Sequence, residues 1–122
     1  MALTKSTQTV QASASNAGAA TTISSSFAIN YGVSGVAQIT NGGTGPTVGC
    51  DFVLEVSNDG GTTWFEWSRQ TAPITASTTY YFPFAFGVAG LGGDFGHYRT
   101  KFTGNTAQAV TIQADAETTT VL

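Results

Sequence analysis

The sequence predicts an all-β protein, a single antiparallel β-sandwich of about seven or eight strands with an extended N-terminal arm. Apolar and polar residues alternate at a period of two, and the period of an amphipathic helix is absent. Segments rich in Gly, Asn, Asp and Pro separate the alternating runs at intervals of about 8–15 residues. The chain has 122 residues, enough for one domain and one modest core. Immunoglobulin-like and jelly-roll topologies both fit this pattern.

The first half of the sandwich is predicted from four alternating runs. Residues 23–31 and 33–39 carry apolar side chains at every second position. Residues 49–57, GCDFVLEVS, place their larger apolar side chains on one face, and residues 62–69, TTWFEWSR, return as the partner strand. The Asp-Gly dipeptide within 58–61 supplies the positive φ that a tight hairpin requires. These runs predict a hairpin preceded by two strands.

The second half is predicted from three further runs. Residues 78–86, TTYYFPFAF, form an aromatic strand, and Pro83 predicts that this strand is bulged or lies at a sheet edge. Residues 87–96 form a Gly-rich loop without a phosphate-binding motif. Residues 97–103 and 109–116 alternate again and complete the sandwich.

The N-terminal segment differs from the rest of the chain. Residues 1–20 contain small and polar side chains and few large apolar ones. Such a segment orders only when it lies on something else, so an extended arm and an edge strand both fit. We therefore divide the chain into an arm or edge strand at 1–20 and a sandwich at 21–122.

Charge and hydropathy exclude several functional classes. Charged residues make up 9% of the chain and the net charge is −3, so a basic face for nucleic acid is not expected. The longest apolar stretch, residues 80–93, is too short for a membrane span and is interrupted by proline and glycine. No signal peptide is visible, which predicts synthesis in the cytoplasm without a membrane partner. A weakly charged surface suits a protein covered by neighbours, although a Thr-rich monomer surface fits as well.

The single cysteine and the single histidine give little support to catalysis or metal binding. Cys50 cannot form an internal disulfide, and its apolar flanks predict a small buried side chain. His97 would need a serine nucleophile, with Asp94 as a third member of a catalytic relay, and no serine lies in a nucleophile elbow. The expected catalytic, cofactor and metal sites are therefore none.

The segment SNDGGTTW at residues 57–64 fits the S-x-D-x-G-x-T-W pattern of an Asp-box. In sialidase propellers this turn recurs and is structural, and a chain of this length cannot hold a propeller. We expect a structural turn in which the carboxylate accepts backbone amides, the second glycine adopts an unusual φ and the indole packs on the hairpin. The turn residues are Ser57, Asp59, Gly61, Thr63 and Trp64.

Two enzyme-like or sugar-binding interpretations stay open. Glu55 and Glu66 lie on adjacent strands of one hairpin and are expected to face each other, but outward charges on strands usually form a solvated face. Trp64 and Trp67 offer a sugar-stacking platform only if a bulge brings them to one face. We expect a protein that is not an enzyme.

Three segments carry a family resemblance: MALTKSTQTVQASASNAGAATT, ITNGGTGPTVGCDFVLEVSNDGGTTW and YRTKFTGNTAQAVTIQADA. They resemble small tailed-bacteriophage virion proteins over most of the chain, and NGGTGPTVGC is the most distinctive piece. The resemblance implies a capsid decoration (cement) protein that binds the outside of the head and stabilises it. The implied partners are the major capsid protein and further copies of the chain in a homo-oligomer such as a trimer. The implied location is the virion surface.

The expected contacts lie on the N-terminal segment and on an aromatic edge. The residues expected at this interface are Thr4, Lys5, Thr7, Val10, Tyr81, Phe84 and Phe86. A tail or fibre component would share the sandwich and the assembly chemistry. A carbohydrate-binding module for host attachment is the other alternative.

Overall fold

The computed structural model describes residues 3–86 and 96–121, and within them the predicted β-sandwich is confirmed. Nine strands form two antiparallel sheets in this part of the chain, and no helix occurs there. The Gly-rich loop predicted at 87–96 lies outside the described residues except for Gly96. The strands are β1 Leu3–Asn16, β2 Thr22–Ile23, β3 Phe27–Ala28, β4 Gly32–Asn41, β5 Asp51–Ser57, β6 Phe65–Thr71, β7 Thr79–Phe86, β8 His97–Thr103 and β9 Val110–Val121.

The strand order is that of a jelly roll. Sheet A has the order β1-β9-β4-β7, and sheet B has the order β2-β8-β5-β6 with β3 also paired to β8. If β2 and β3 are counted as one interrupted strand, each sheet has four strands. Apart from the hairpin between β5 and β6, the connections then cross from one sheet to the other. Of the two topologies that the sequence left open, this order selects the jelly roll.

The core lies between the two sheets and is rich in aromatic side chains. The ring of Phe52 on β5 lies 5.5 Å from that of Phe102 on β8 and 5.7 Å from that of Phe84 on β7, centroid to centroid. Tyr98 and Ile112 are fully buried beside them. These contacts join both sheets, because β7 belongs to sheet A whereas β5 and β8 belong to sheet B.

Cys50 is fully buried directly before β5, as the apolar flanks predict. Burial is the main cause that raises the pKa of its thiol to about 12, and the neighbouring Asp51 carboxylate adds to the rise. The thiol is therefore protonated at neutral pH and behaves as a small apolar side chain.

One predicted strand is interrupted. Residues 23–31 form two short pieces, β2 and β3, instead of a continuous strand. Between them Ser24 keeps the chain bound to β8 with one side-chain bond in place of a backbone one, because its hydroxyl accepts the Thr100 amide at 3.0 Å while its own amide donates to the Thr100 carbonyl at 2.9 Å. Ile23 is exposed, whereas Ile29 is buried.

The two edges of sheet A are β1 and β7. The N-terminal segment, for which an arm and an edge strand both fitted, is strand β1, paired antiparallel to β9 from Leu3 to Asn16. Two irregularities interrupt this pairing between Thr9 and Ala14. Among the described strands β7 pairs with β4 alone, and it carries Pro83, so the predicted edge position is confirmed.

Candidate interaction surfaces

The outer face of sheet B carries a network of ion pairs. The Arg69 guanidinium binds both Asp51 and Glu66, the latter at 2.9 Å between Nη2 and Oε1. The Arg99 Nε lies 2.8 Å from Glu55 Oε1, and Lys101 Nζ lies 3.5 Å from Glu55 Oε2. Three of the four basic residues of the chain are thus neutralised on this face.

The turn at the end of the β5–β6 hairpin organises one corner of this face. Asp59 accepts the Thr63 amide at 2.9 Å and the Ser57 hydroxyl at 2.7 Å. These bonds, the one from the Thr63 amide above all, hold the pKa of the Asp59 carboxyl well below its ordinary value. Gly61 has a φ of 98°, in the left-handed region that favours glycine.

Trp64 closes the same turn. Its indole Nε1 donates to the Gly61 carbonyl at 3.0 Å, and the Arg99 guanidinium lies over the ring at 4.2 Å from the centroid. The indole is therefore held by the turn on one side and by the ion-pair network on the other. This arrangement makes Trp64 part of the hairpin's own packing.

Trp64 and Trp67 do not form a shared platform. A register shift opposite Leu54 and Glu55 leaves Trp67 as an extra residue in β6, and its ring lies 5.7 Å from that of Phe86 in the core. The bulge that a sugar platform would need is present, but it directs Trp67 toward Phe86, while Trp64 lies under Arg99.

The acidic pair of the hairpin is engaged by bases. Glu55 and Glu66 oppose each other in the register of β5 and β6, as the hairpin predicts. Glu55 is 8% exposed and its oxygens face Arg99 and Lys101, whereas Glu66 binds Arg69. The pair is thus part of the ion-pair network of sheet B.

His97 begins β8 and pairs with Ser57 across the sheet. Its Nδ1 is buried and has no hydrogen-bond partner in the described part of the chain. Asp94, the other member of the hypothetical relay, lies outside that part. Residues 3–86 and 96–121 contain no group of three or more His, Cys, Asp or Glu side chains able to hold a metal ion. Within the same ranges no helix is long and apolar enough to span a membrane.

The outer face of sheet A contains a groove of about 490 Å³. Strands β1, β9 and β4 form it, and most of its lining residues carry a hydroxyl, amide or carboxylate group, although apolar atoms make up the larger share of the exposed lining surface. Gln113 Nε2 donates to Asp115 Oδ2 at 2.7 Å beside the groove. A volume of this size falls within the range of ligand-binding clefts. The lining residues are Thr7, Gln8, Thr9, Ser34, Gly35, Val36, Gln38, Asp115, Ala116 and Glu117.

Strand β1 borders the groove and leaves one side open. It pairs with β9 on one side, and no other described strand pairs with it. The side chains of Leu3 to Thr7 are all exposed, so this half of the strand extends past the core. Farther along β1 the Gln8 side chain turns inward, where its Oε1 accepts the Tyr98 hydroxyl at 2.6 Å.

Of the residues that the sequence predicts at an interface, the structure exposes some and buries others. Thr4, Lys5, Thr7 and Tyr81 are exposed. For the other three the expectation is wrong, because Val10 is 5%, Phe84 8% and Phe86 3% exposed. Phe84 and Phe86 point between the sheets from alternate positions of β7, and Val10 packs into the same core from β1.

Sequence reasoning missed the residues that β9 and β4 contribute to the groove. Asp115 and Glu117 occupy the outward positions of β9, and Ser34 and Gln38 those of β4. Alternation identifies such outward positions, but it does not reveal that β9 lies between β1 and β4. The sequence therefore gave no reason to group these residues.

Comparison with known proteins finds no matching family model and no matching curated protein. Among solved structures, the chain superposes on a chain of infectious bursal disease virus, Gx strain. The TM-score is 0.65 and the identity is 11%, over 98% of the length of the present chain. A VP2 subviral particle of the same virus gives a TM-score of 0.57 with 12% identity over 97%. The chain spans 33% and 32% of those viral chains, about a third of their length.

A bacterial protein gives a weaker match. The K3 cleaved adhesin domain of Lys-gingipain from Porphyromonas gingivalis has a TM-score of 0.51 and 11% identity, covering 80% of this chain and 63% of that one. At these identities the likenesses establish a shared β-sandwich fold.

Proposed function

We propose that the chain is a non-enzymatic structural protein of a bacteriophage virion, a capsid decoration protein that binds the outside of the head and stabilises it. Its partners are the major capsid protein and further copies of itself. It acts at the virion surface after synthesis in the host cytoplasm.

The observation that carries this proposal is the jelly-roll order of the strands together with the open edge of β1. Jelly rolls build viral capsid domains, and 98% of the chain superposes on a viral chain at a TM-score of 0.65. The sequence resemblance to phage virion proteins supports the same function. An edge that extends past the core supplies backbone groups for association.

The chemistry of the two outer faces supports contact through sheet A. The bases of sheet B are already paired within the chain, so binding through that face would have to break or bury those pairs. The groove on sheet A presents hydroxyl and amide groups together with two carboxylates, Asp115 and Glu117, which form no ion pair within the described residues and can meet a basic group of a partner. Its floor is strand-paired backbone, which stays rigid while a partner segment fills it.

The experiment is reconstitution on capsids that lack the protein. Purified chain is added to empty capsids, unbound protein is removed by sedimentation, and the particles are imaged by cryo-electron microscopy. Regular density over the capsid lattice, with sheet A facing the shell, is expected. Soluble chain with bare capsids would contradict the decoration function.

A groove variant sharpens this experiment. Ser34→Arg fills the groove with a long side chain and should abolish capsid binding without changing the thermal midpoint. Thr62→Arg, an exposed position in the β5–β6 turn, makes the same charge change and is the matched control. Equal binding by both variants would remove the groove from the interface.

The groove also favours a second candidate, a carbohydrate-binding module for host attachment. Hydroxyl, amide and carboxylate groups are suitable partners for sugar hydroxyls, and Tyr81 pairs with the groove residue Gln38 and is 63% exposed. A glycan array with the isolated chain tests this function, with Ser34→Arg as the loss-of-binding control. A tail or fibre component is distinguished from both by repeating the imaging with purified tails in place of empty capsids, where it alone should give density.

A further inference from the structure

The four sheet edges differ in how they are protected against pairing with another strand. Strand β7 contains Pro83, which lacks an amide donor. Strand β6 has a bulge at Trp67, and β2 and β3 are only two residues each. Each of these edges is therefore interrupted.

The first half of β1 is the exception. Seven consecutive residues, Leu3 to Thr9, pair with β9 without a register shift. The irregularities of β1 begin only after Thr9. This half of the strand is regular, exposed on both faces up to Thr7, and unpaired on its outer side by any described strand. It has the features of a strand that accepts another strand.

We propose that Leu3–Thr9 of β1 pairs antiparallel with the same segment of a second copy, so that sheet A continues across a twofold axis into the partner. This inference rests on the proposed function in taking the chain to associate with copies of itself, and it adds the surface, the direction and the register. A twofold contact of this kind uses one patch on both copies and closes as a dimer.

The sequence of the segment selects the register. In an antiparallel pair, directly opposed residues lie on the same face of the sheet. The twofold axis therefore lies midway between the two copies of one residue, and an axis through a residue means that this residue opposes its own copy. An axis through Lys5 would oppose two ammonium groups, which is unfavourable. An axis through Ser6 uses all seven residues, places Lys5 opposite Thr7 of the second copy and opposes no like charges.

Charge on the outer face favours the same register. Thr7 pairs with Glu117 on β9, and neither Lys5 nor Glu117 forms an ion pair within the described residues. With the axis through Ser6, Lys5 of one copy lies two strands, about 10 Å between Cα atoms, from Glu117 of the other. The short Thr7 side chain between them leaves room for the flexible lysine to reach the carboxylate.

Cross-linking tests the register. Ser6→Cys places two thiols opposite each other at the axis, and mild oxidation or a short bismaleimide should yield a covalent dimer. Ala85→Cys, exposed on the opposite edge of sheet A, is the matched control and should remain unlinked. The buried Cys50 of the unsubstituted chain should not react. Linking of Ser6→Cys no faster than of Ala85→Cys would overturn the proposal.

A charge variant tests the same contact without covalent cross-linking. Thr7→Lys places a lysine opposite Lys5 of the second copy, while within its own chain the new ammonium faces Glu117, so the fold is retained. We expect the dimer dissociation constant, measured by analytical ultracentrifugation, to rise about tenfold because two like-charge contacts form. Ala85→Lys should leave it unchanged. A monomeric unsubstituted chain at every soluble concentration, or equal effects of the two variants, would contradict β1 pairing.

These measurements need no capsid, so the two proposals can fail separately. A monomer that still decorates capsids would end the β1 inference and leave the proposed function standing. A β1-paired dimer that never binds capsids would do the reverse.

Discussion

The outer faces of the two sheets differ in how their polar groups are satisfied. Sheet B carries all four ion pairs found in the described residues, together with the stack of Arg99 on Trp64. Sheet A carries a groove, a regular strand edge without a described partner, and two carboxylates, Asp115 and Glu117, without an ion pair in that part of the chain. The charged groups of sheet B are therefore paired within the monomer, whereas on sheet A two carboxylates and the β1 edge are left exposed.

The difference arises from where the few charged residues fall. Charged side chains are only 9% of the chain, and three of the four bases lie on β6 and β8. Their acidic partners lie on β5 and β6, in the same sheet. Lys5 is the remaining base and lies on the edge of sheet A. The charges of sheet B are thus paired among themselves, while Lys5, Asp115 and Glu117 on sheet A form no ion pair within the described residues.

The largest expected effect comes from breaking the network of sheet B. Glu55→Ala removes the carboxylate shared by Arg99 and Lys101 at a position that is 8% exposed. We expect the free energy of unfolding to fall by about 2–3 kcal/mol, since a largely buried pair loses one member. Urea denaturation followed by tryptophan fluorescence measures the change.

The matched variant lies on sheet A. Glu117→Ala removes an exposed carboxylate, and its effect should stay within about 0.5 kcal/mol. Similar losses for the two variants would show that the faces do not differ as described.

The next effect concerns one aromatic residue on the outer face of each sheet, Trp64 on sheet B and Tyr81 on sheet A. Trp64→Ala removes the bond to the Gly61 carbonyl and the contact with Arg99, which should cost about 1–2 kcal/mol. Tyr81→Ala, at a 63% exposed position on sheet A, should cost less than about 0.5 kcal/mol. Urea denaturation measures both losses. A larger loss for Tyr81→Ala than for Trp64→Ala would contradict the conclusion that Trp64 is part of the packing of the monomer and Tyr81 is not.

The smallest effect is the pH dependence of the β5–β6 turn. The Thr63 amide and the Ser57 hydroxyl lower the pKa of Asp59 below its ordinary 3.8. A carboxyl with a lowered folded-state pKa contributes stability that is fully present above its unfolded pKa and is lost as pH falls below it. The thermal midpoint should therefore drop less between about pH 6 and pH 3 for Asp59→Asn than for the unsubstituted chain. An equal drop would show that the turn does not depend on the ionised carboxylate.

The alternation of apolar and polar residues was sufficient to predict the core but not the interaction surfaces. The inward positions of β5 and β9, such as Phe52 and Ile112, follow from a period of two and are buried as expected. The same alternation placed Phe84 and Phe86 on one face of β7, and assigning them to an interface disregarded that signal. Pairing partners far apart in sequence, such as β1 with β9, leave no local trace, so the groove and the jelly-roll order needed the structure.

The β1 segment shows the same limit. Its small polar residues have too little apolar surface to order alone, so an arm and a strand were equally consistent with the sequence. Pairing with β9 supplies the missing interactions, and burial of Val10 and Asn16 anchors the strand. Local composition cannot reveal a partner strand that lies about a hundred residues away.

The most direct test of the claim that sheet A associates is amide hydrogen exchange, comparing the free chain diluted below its dimer dissociation constant with the chain bound to capsids. The account predicts new protection in Leu3–Thr9 and in the groove-lining part of β4, with exchange in β5, β6 and β8 unchanged. Protection confined to β6 and β8, with β1 exchanging as in the free chain, would contradict it and assign the interface to sheet B.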